Sequence, residues 1–359
     1  MNRIDLMQKM LKERKLDAFV VFTYEDTNKN LLYLTGFGGT AGVLVITPKK
    51  SVLMVDGRYL LRARKETRDI EILRVQGTRN ILGSVLEGLS HLKAQGINRV
   101  GYEGRQVSVL MAEEWKKSFK GELVPTERIV EQLRKRKDAS EIKSIKRACG
   151  IVDAVYKEIA AWIKPGLRES DVAAEIDYFM RKHGAIGPSF PAIIASGPNA
   201  ALPHHATGDR KLKAGDIVIM DFGAQLSDGY CSDITRTIFV SGEKPHSELF
   251  KIYRIVLEAN KAAFKGLKVG MKFKEYDAIA RDYIKERGYG DKFIHSLGHS
   301  LGLDVHDYYD YANDPILEGT VLTDEPGIYI EGLGGVRIED DLLMTKKGPI
   351  RLTKAPYLK

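Results

Sequence analysis

Apolar and polar residues recur along this chain in two periods, and the switches between them outline its elements. The N-terminus, "MNRIDLMQKMLKERKLDAFVVF", places apolar residues at helical spacing to about Lys15, then enters the strand-like run "DAFVVFT". In "AGVLVITPKKSVLMVDGRYLLRARKE" two apolar runs flank a Pro-Lys-Lys turn. A helix is expected around "ILGSVLEGLSHLKAQG" and a strand at "RVGYEG", which completes a βαβ-like unit in a sheet of mixed order.

A helical connector follows, "IVEQLRKRKDASEIKSIKRACGIVDAVYKEIAAWI". Asp138 and Glu141 have the spacing of a capping box, and Ile142, Ile145, Ala148, Val152, Val155 and Ile159 mark one helical face. The expected organisation is an N-terminal domain at 1–125, a helical linker at 126–138 and a second domain at 139–359. The basic run Arg134 to Lys137 is expected to be the solvated end of a helix.

The second domain carries an internal echo. "KPGLRESDVAAEIDYFMRKHGA" and "KVGMKFKEYDAIARDYIKERGYG" share a glycine, a polar turn, an amphipathic helix and a terminal glycine. Gly166, Ala174 and Gly184 fall on Gly270, Ala278 and Gly288 when shifted by 104 positions, and the same shift carries Asp221 to Glu325. Two α/β halves packed around a shared centre are the expectation.

Composition narrows the function. Of 359 residues, 43% are hydrophobic, as in a globular protein with a sizeable core. The formal charge of +8 favours encounters with anions, but no aromatic platform accompanies the basic run, so nucleic acid is not the expected partner. No run reaches the roughly 18 apolar residues of a membrane span. Cys149 and Cys231 are far apart, which points to a reducing, cytoplasmic location.

Four carboxylates lie in or against apolar runs: Asp221, Asp233, Glu325 and Glu339. Singly, each has a bland explanation. Asp221 could cap a turn, Asp233 could pair with Arg236, Glu325 could brace the turn at Pro326, and Glu339 could pair with Arg337. Jointly they fit a pair of divalent cations bridged by carboxylates, because two close cations need several anionic oxygens. Five of the eight histidines cluster nearby, His204 with His205, and His295 with His299 and His306. The glycines at 298 and 302 argue for a bent chain there, and no His-Glu-x-x-His motif occurs. An oxygen-rich set with one imidazole suits manganese, cobalt or iron as well as zinc.

The motifs "SGPNAALPHH", "MDFGA…GYCSDITRT", "HSLGHSLGLDVHD", "TDEPGIYI" and "GGVRIEDD" together resemble the Xaa-Pro aminopeptidase and Xaa-Pro dipeptidase group of pita-bread metallopeptidases. "NLLYLTGF" and "VDGRYLLRA" resemble the creatinase-type domain that precedes the catalytic domain in that group. The resemblance implies an α/β chain, with a creatinase-type α/β domain followed by a pita-bread catalytic domain of pseudo-twofold α/β halves, and a homodimer. It implies two metal ions per subunit, manganese first among them. Asp221 would chelate one, Asp233 and Glu339 would bridge both, and His299 and Glu325 would complete the other. His204 and His306, with His295 close behind, would assist substrate, while His205 is expected to be a loop residue.

Three departures accompany the resemblance, one of them Gly-His-Ser at 298–300 in place of the commoner Gly-His-Gly. The interval of 12 residues from Asp221 to Asp233 is one longer than the family suggests, and the turn or a bulge should absorb the excess. Asp307 stands where related dipeptidases often have Glu. The expected reaction is hydrolysis that releases the residue ahead of a proline, with Glu325 shuttling the proton and His306 or His204 stabilising the oxyanion. An Xaa-Pro dipeptidase, a non-catalytic peptide-binding relative and a metal-free amidinohydrolase of the creatinase kind are the alternatives.

Overall fold

The computed structural model describes residues 2–75, 96–119 and 121–358. Two compact units divide the chain, Met1–Arg134 and Lys135–Lys359. The helix expected at 81–96 falls almost wholly outside the described residues.

The first unit is built on a six-stranded sheet. Its strands are β1 (Ala18–Tyr24), β2 (Ala41–Ile46), β3 (Ser51–Val55), β4 (Glu71–Arg74), β5 (Arg99–Glu103) and β6 (Glu122–Thr126), in the order β4-β3-β2-β1-β5-β6. β1, β2 and β3 run antiparallel in succession, while β4, β5 and β6 each join in parallel, so the sheet is mixed. The Pro-Lys-Lys turn closes the β2–β3 hairpin through Thr47 N–H donating to Lys50 O at 2.8 Å. Trp115 fills the core beneath, edge-on to Phe22 and Tyr102 at ring separations of 5.6 and 5.5 Å.

The second unit opens with a helix at Ala139–Trp162. Asp138 caps it, accepting from the Glu141 N–H, while Glu141 accepts from the Asp138 N–H, which closes the reciprocal box. Ile145, Ala148, Val152, Val155 and Ile159 are fully buried along one face; removing one of the larger ones from water contributes about 2 kcal/mol. The preceding basic run departs from expectation. Arg134 and Lys137 are 3% and 5% exposed, not solvated, because Arg134 donates to Asn30 Oδ1 and Lys137 pairs with Asp307.

The echo is physical as well as sequential. Helices at Glu169–Lys182 and Phe273–Lys285 are capped by Arg168 with Asp171 and by Lys272 with Glu275, each 104 positions apart. Gly166 and Gly270 have φ of +92° and +87°, and Gly184 and Gly288 have +95° and +86°, values that a side chain would strain. Gly166 N–H donates to Leu212 O and Gly270 N–H to Ile316 O, again at matching positions. The first helix packs on β7 (Gly187–Pro188) and β8 (Ile193–Ser196), and the second against the helix at Ser247–Gly266, and each half has its own small sheet. The first half has β8, β9 (Ile217–Phe222) and β11 (Ile234–Phe239) in the order β11-β9-β8, with the two-residue β7 and β10 (Ala224–Gln225) paired beside them. The other has β12 (Val321–Asp324), β15 (Asp340–Thr345) and β16 (Gly348–Arg351), beside the hairpin of β13 (Gly327–Ile330) and β14 (Gly334–Arg337).

Candidate active site

Strand register decides which acids can meet. β9 and β11 pair antiparallel with Thr235 opposite Asp221. Asp233 lies two residues before Thr235 and therefore shares its face, which is also the face of Asp221. The 12-residue interval between the two acids is spanned by the turn at 223–232, where Leu226 and Tyr230 pair and Gly229 adopts φ +88°.

The other half repeats the device. β12 and β15 pair with Asp340 opposite Asp324, and Glu325 and Glu339 each lie one residue beyond that pair. His299 arrives on a bent segment laid along β12. Its N–H donates to Thr323 Oγ1 at 2.9 Å, and its carbonyl accepts from Thr323 N–H at 2.8 Å. Gly298 permits this approach, since a Cβ there would stand 2.4 Å from the Thr323 carbonyl oxygen.

These elements bring all eight candidate residues, Asp221, Asp233, His204, His295, His299, His306, Glu325 and Glu339, to the wall of one cavity of about 500 Å³. Ligating atoms of Asp233, His299 and Glu339 lie within 4.8 Å of one another. His299 Nε2 is 3.4 Å from Glu325 Oε1 and 3.7 Å from Asp233 Oδ2. The rings of His299 and His306 lie 3.9 Å apart, tilted by 39°.

Electrostatics test whether a cation fits. Asp221 Oδ1, Asp233 Oδ1 and Glu339 Oε1 are buried without a hydrogen-bond partner, a costly state for anionic oxygen that a divalent ion relieves. Burial, and then the neighbouring carboxylates, push the Asp233 and Glu339 carboxyls well up from their ordinary values. Burial likewise raises Glu325 to about 8 and lowers His299 to about 3, which leaves that imidazole neutral with a lone pair to offer. The donor set fits a hard divalent cation.

Comparison with known proteins agrees with that chemistry. Residues 143–346 match the model of metallopeptidase family M24, and residues 3–136 match the creatinase/prolidase N-terminal domain. The chain belongs to metallopeptidase family M24. An Xaa-Pro dipeptidase from Bacillus anthracis is similar in structure, with TM-score 0.91 and 40% identity over 99% of this chain and 98% of its own. The X-Pro aminopeptidase of Thermotoga maritima gives TM-score 0.88 and 36% identity over 96% and 98% of the two chains. The Xaa-Pro dipeptidase of Pyrococcus furiosus is 38% identical over 98% of each sequence. The chain is thus a metal-dependent peptidase, with a creatinase-type domain ahead of an M24 catalytic domain.

Several contacts of this M24 site differ from those the sequence suggests. Arg337 is 3% exposed and pairs with Asp221 Oδ2 at 2.5 Å, not with Glu339. It also donates to Tyr329 Oη and Thr235 Oγ1, and Tyr329 Oη lies 2.8 Å from His295 Nε2. Arg236 bonds Asp340, not Asp233, and Asp341 accepts the Asp233 N–H. The sequence offers Arg337 to Glu339 and Arg236 to Asp233, whereas Tyr329 and Asp341 read only as strand residues. His205 bonds the buried Glu169 at 2.8 Å and fastens the loop that carries His204.

Proposed function

We propose that this M24 peptidase is an Xaa-Pro aminopeptidase, releasing the N-terminal residue of peptides whose second residue is proline. Two divalent ions per subunit, manganese foremost, would be held by Asp221, Asp233, His299, Glu325 and Glu339. The convergence of Asp233, His299 and Glu339, both carboxylates with one buried oxygen that has no hydrogen-bond partner, is the observation that carries this reading. When bound, such ions supply Lewis acidity toward the scissile carbonyl and a water nucleophile ionised near neutral pH.

The chain's own residues do the rest. Glu325, on the cavity wall beside His299, takes a proton from the nucleophile and returns it to the leaving proline nitrogen. His306 and His204, exposed on the cavity wall, donate to the carbonyl oxygen as it gains charge. Phe190, Ile193, Pro203 and Val305 give the cavity apolar surface for a proline ring, which has no N–H to offer a strand-like protease cleft.

Length preference follows from Arg337. Among the described residues lining the cavity it is the one Lys or Arg, and Asp221 already neutralises it. A dipeptide's carboxylate would find no uncommitted guanidinium on that wall, which favours longer peptides. An Xaa-Pro dipeptidase is the second reading, favoured by the names of relatives 38–40% identical to this chain. Ala-Pro and Ala-Pro-Ala hydrolysis, measured side by side with Mn²⁺, separates them. Faster turnover of the tripeptide is expected, and turnover of the dipeptide alone would assign a dipeptidase. Two buried thiols, Cys149 and Cys231, support a reducing compartment, and no helix among the described residues is long and apolar enough to cross a membrane.

A further inference from the structure

Lys137 belongs to a basic run that reads as solvent-facing, yet its side chain is 0% exposed and its partner Asp307 only 1%. The ammonium lies 3.3 Å from Asp307 Oδ2 and 3.4 Å from Ser300 Oγ. Those two contacts are directly across from each other: Ser300 and Asp307 form a bridge, with Asp307 N–H donating to Ser300 O at 2.8 Å. Each immediately follows a site histidine, Ser300 after His299 and Asp307 after His306.

The chain around this pair is shaped to receive it. A Cβ on Gly302 would sit 2.1 Å from Asp307 Oδ2 and 3.0 Å from Lys137 Cε, so only glycine leaves room. Lys137 N–H donates to Gly319 O at 2.7 Å, and Gly319, at φ +85°, passes close against the Lys137 backbone. The lysine is thereby fixed at its backbone and at its tip.

A buried ion pair is weak support for stability, since apolar residues of similar volume often serve as well. What it provides is direction. His299 is already held by two hydrogen bonds to Thr323 on β12. His306 stands differently, with its ring exposed at the cavity and its neighbour Asp307 buried on the ammonium. We propose that the Lys137–Asp307 pair is a positioning device for His306, setting that ring against His299 and toward the substrate oxygen without touching substrate itself. This inference rests on the peptidase reading above.

The test compares the parent with the apolar replacement Lys137→Met/Asp307→Leu and with the isosteric Asp307→Asn, which guards against misfolding of the first. Ala-Pro-Ala kinetics and Mn²⁺ affinity by calorimetry are read on each full-length protein. Expected is a fall in kcat of about 100-fold in the double variant and at least about tenfold in Asp307→Asn, as for a misplaced catalytic group. KM and Mn²⁺ affinity should stay within about threefold of the parent, because the five metal-binding candidates are untouched. A kcat within about threefold of the parent in a folded variant overturns the inference. So does a loss of Mn²⁺ affinity parallel to the loss of kcat, which would make the pair a support for the metal site. A parent inactive on both peptides with Mn²⁺ bound would instead sink the peptidase reading, and this inference with it.

Discussion

Thr235 and Glu339 bond each other reciprocally across the two halves of the catalytic unit. Thr235 Oγ1 donates to Glu339 Oε2 at 2.7 Å, and Glu339 N–H donates to Thr235 O at 3.0 Å. The two residues are 104 positions apart, so they occupy equivalent places in the repeat, Thr235 opposite Asp221 and Glu339 one residue beyond the Asp324–Asp340 pair. The seam between the halves therefore runs through the candidate metal site. One side of it supplies a hydroxyl and the other a carboxylate whose second oxygen is left bare.

Thr235→Val removes the hydroxyl and keeps the shape. A carboxylate that loses such an orienting partner typically binds its metal 10–100-fold more weakly. Mn²⁺ titration of chelated protein should show a loss of about that size. Unchanged affinity would mean that Thr235 braces the fold alone.

Glu325→Gln keeps the side chain's size and removes its ability to carry a proton. A drop in kcat of at least about 100-fold is expected in peptide assays, the scale of general acid–base catalysis. Activity within about tenfold of the parent would count against the shuttle role.

Gly298→Ala forces a methyl into the Thr323 backbone, 2.4 Å from its carbonyl oxygen. The segment that carries His299 must lift from β12. Overpacking of this kind costs about 1–3 kcal/mol, and denaturant unfolding should show it, together with weaker Mn²⁺ binding. Equal stability and equal metal affinity would show that the segment is not held there.

Glu103 makes a pH prediction outside the metal site. Both of its oxygens accept, from Asn28 and Asn30, yet burial pushes its carboxyl up to about 7 from 4.5. The folded first unit therefore retains a proton that the unfolded chain releases. The stability this provides is full below pH of about 4.5 and lost as pH rises through about 7, up to about 3 kcal/mol. In a Trp162→Phe background, urea unfolding followed by Trp115 emission should weaken from pH 5 to pH 8 in the parent. Glu103→Gln should flatten that slope, and equal slopes would contradict the assignment.

Much of this arrangement was legible in the sequence because it rests on local rules. The capping box at Asp138 and the paired glycines at 166 and 270 and at 184 and 288 follow from backbone chemistry that a single chain displays. The 104-residue shift carried the pattern from helices to acids. What did not show were choices among partners made across the fold. Arg337 could equally have served Glu339, two residues away, but its side chain meets Asp221 from the neighbouring sheet. Lys137 looked solvated because its neighbours are basic, and only the hairpin at 299–307 reveals the carboxylate that buries it. Tyr329 gave no signal at all, since an aromatic in a strand reads as core until its hydroxyl is seen between His295 and Arg337.

The most direct test is to strip the protein with chelator and return Mn²⁺ stepwise while following Ala-Pro-Ala hydrolysis. Activity should vanish on chelation and climb to a plateau at two ions per chain. Hydrolysis that survives complete chelation, or a protein that takes up no Mn²⁺, would contradict the account.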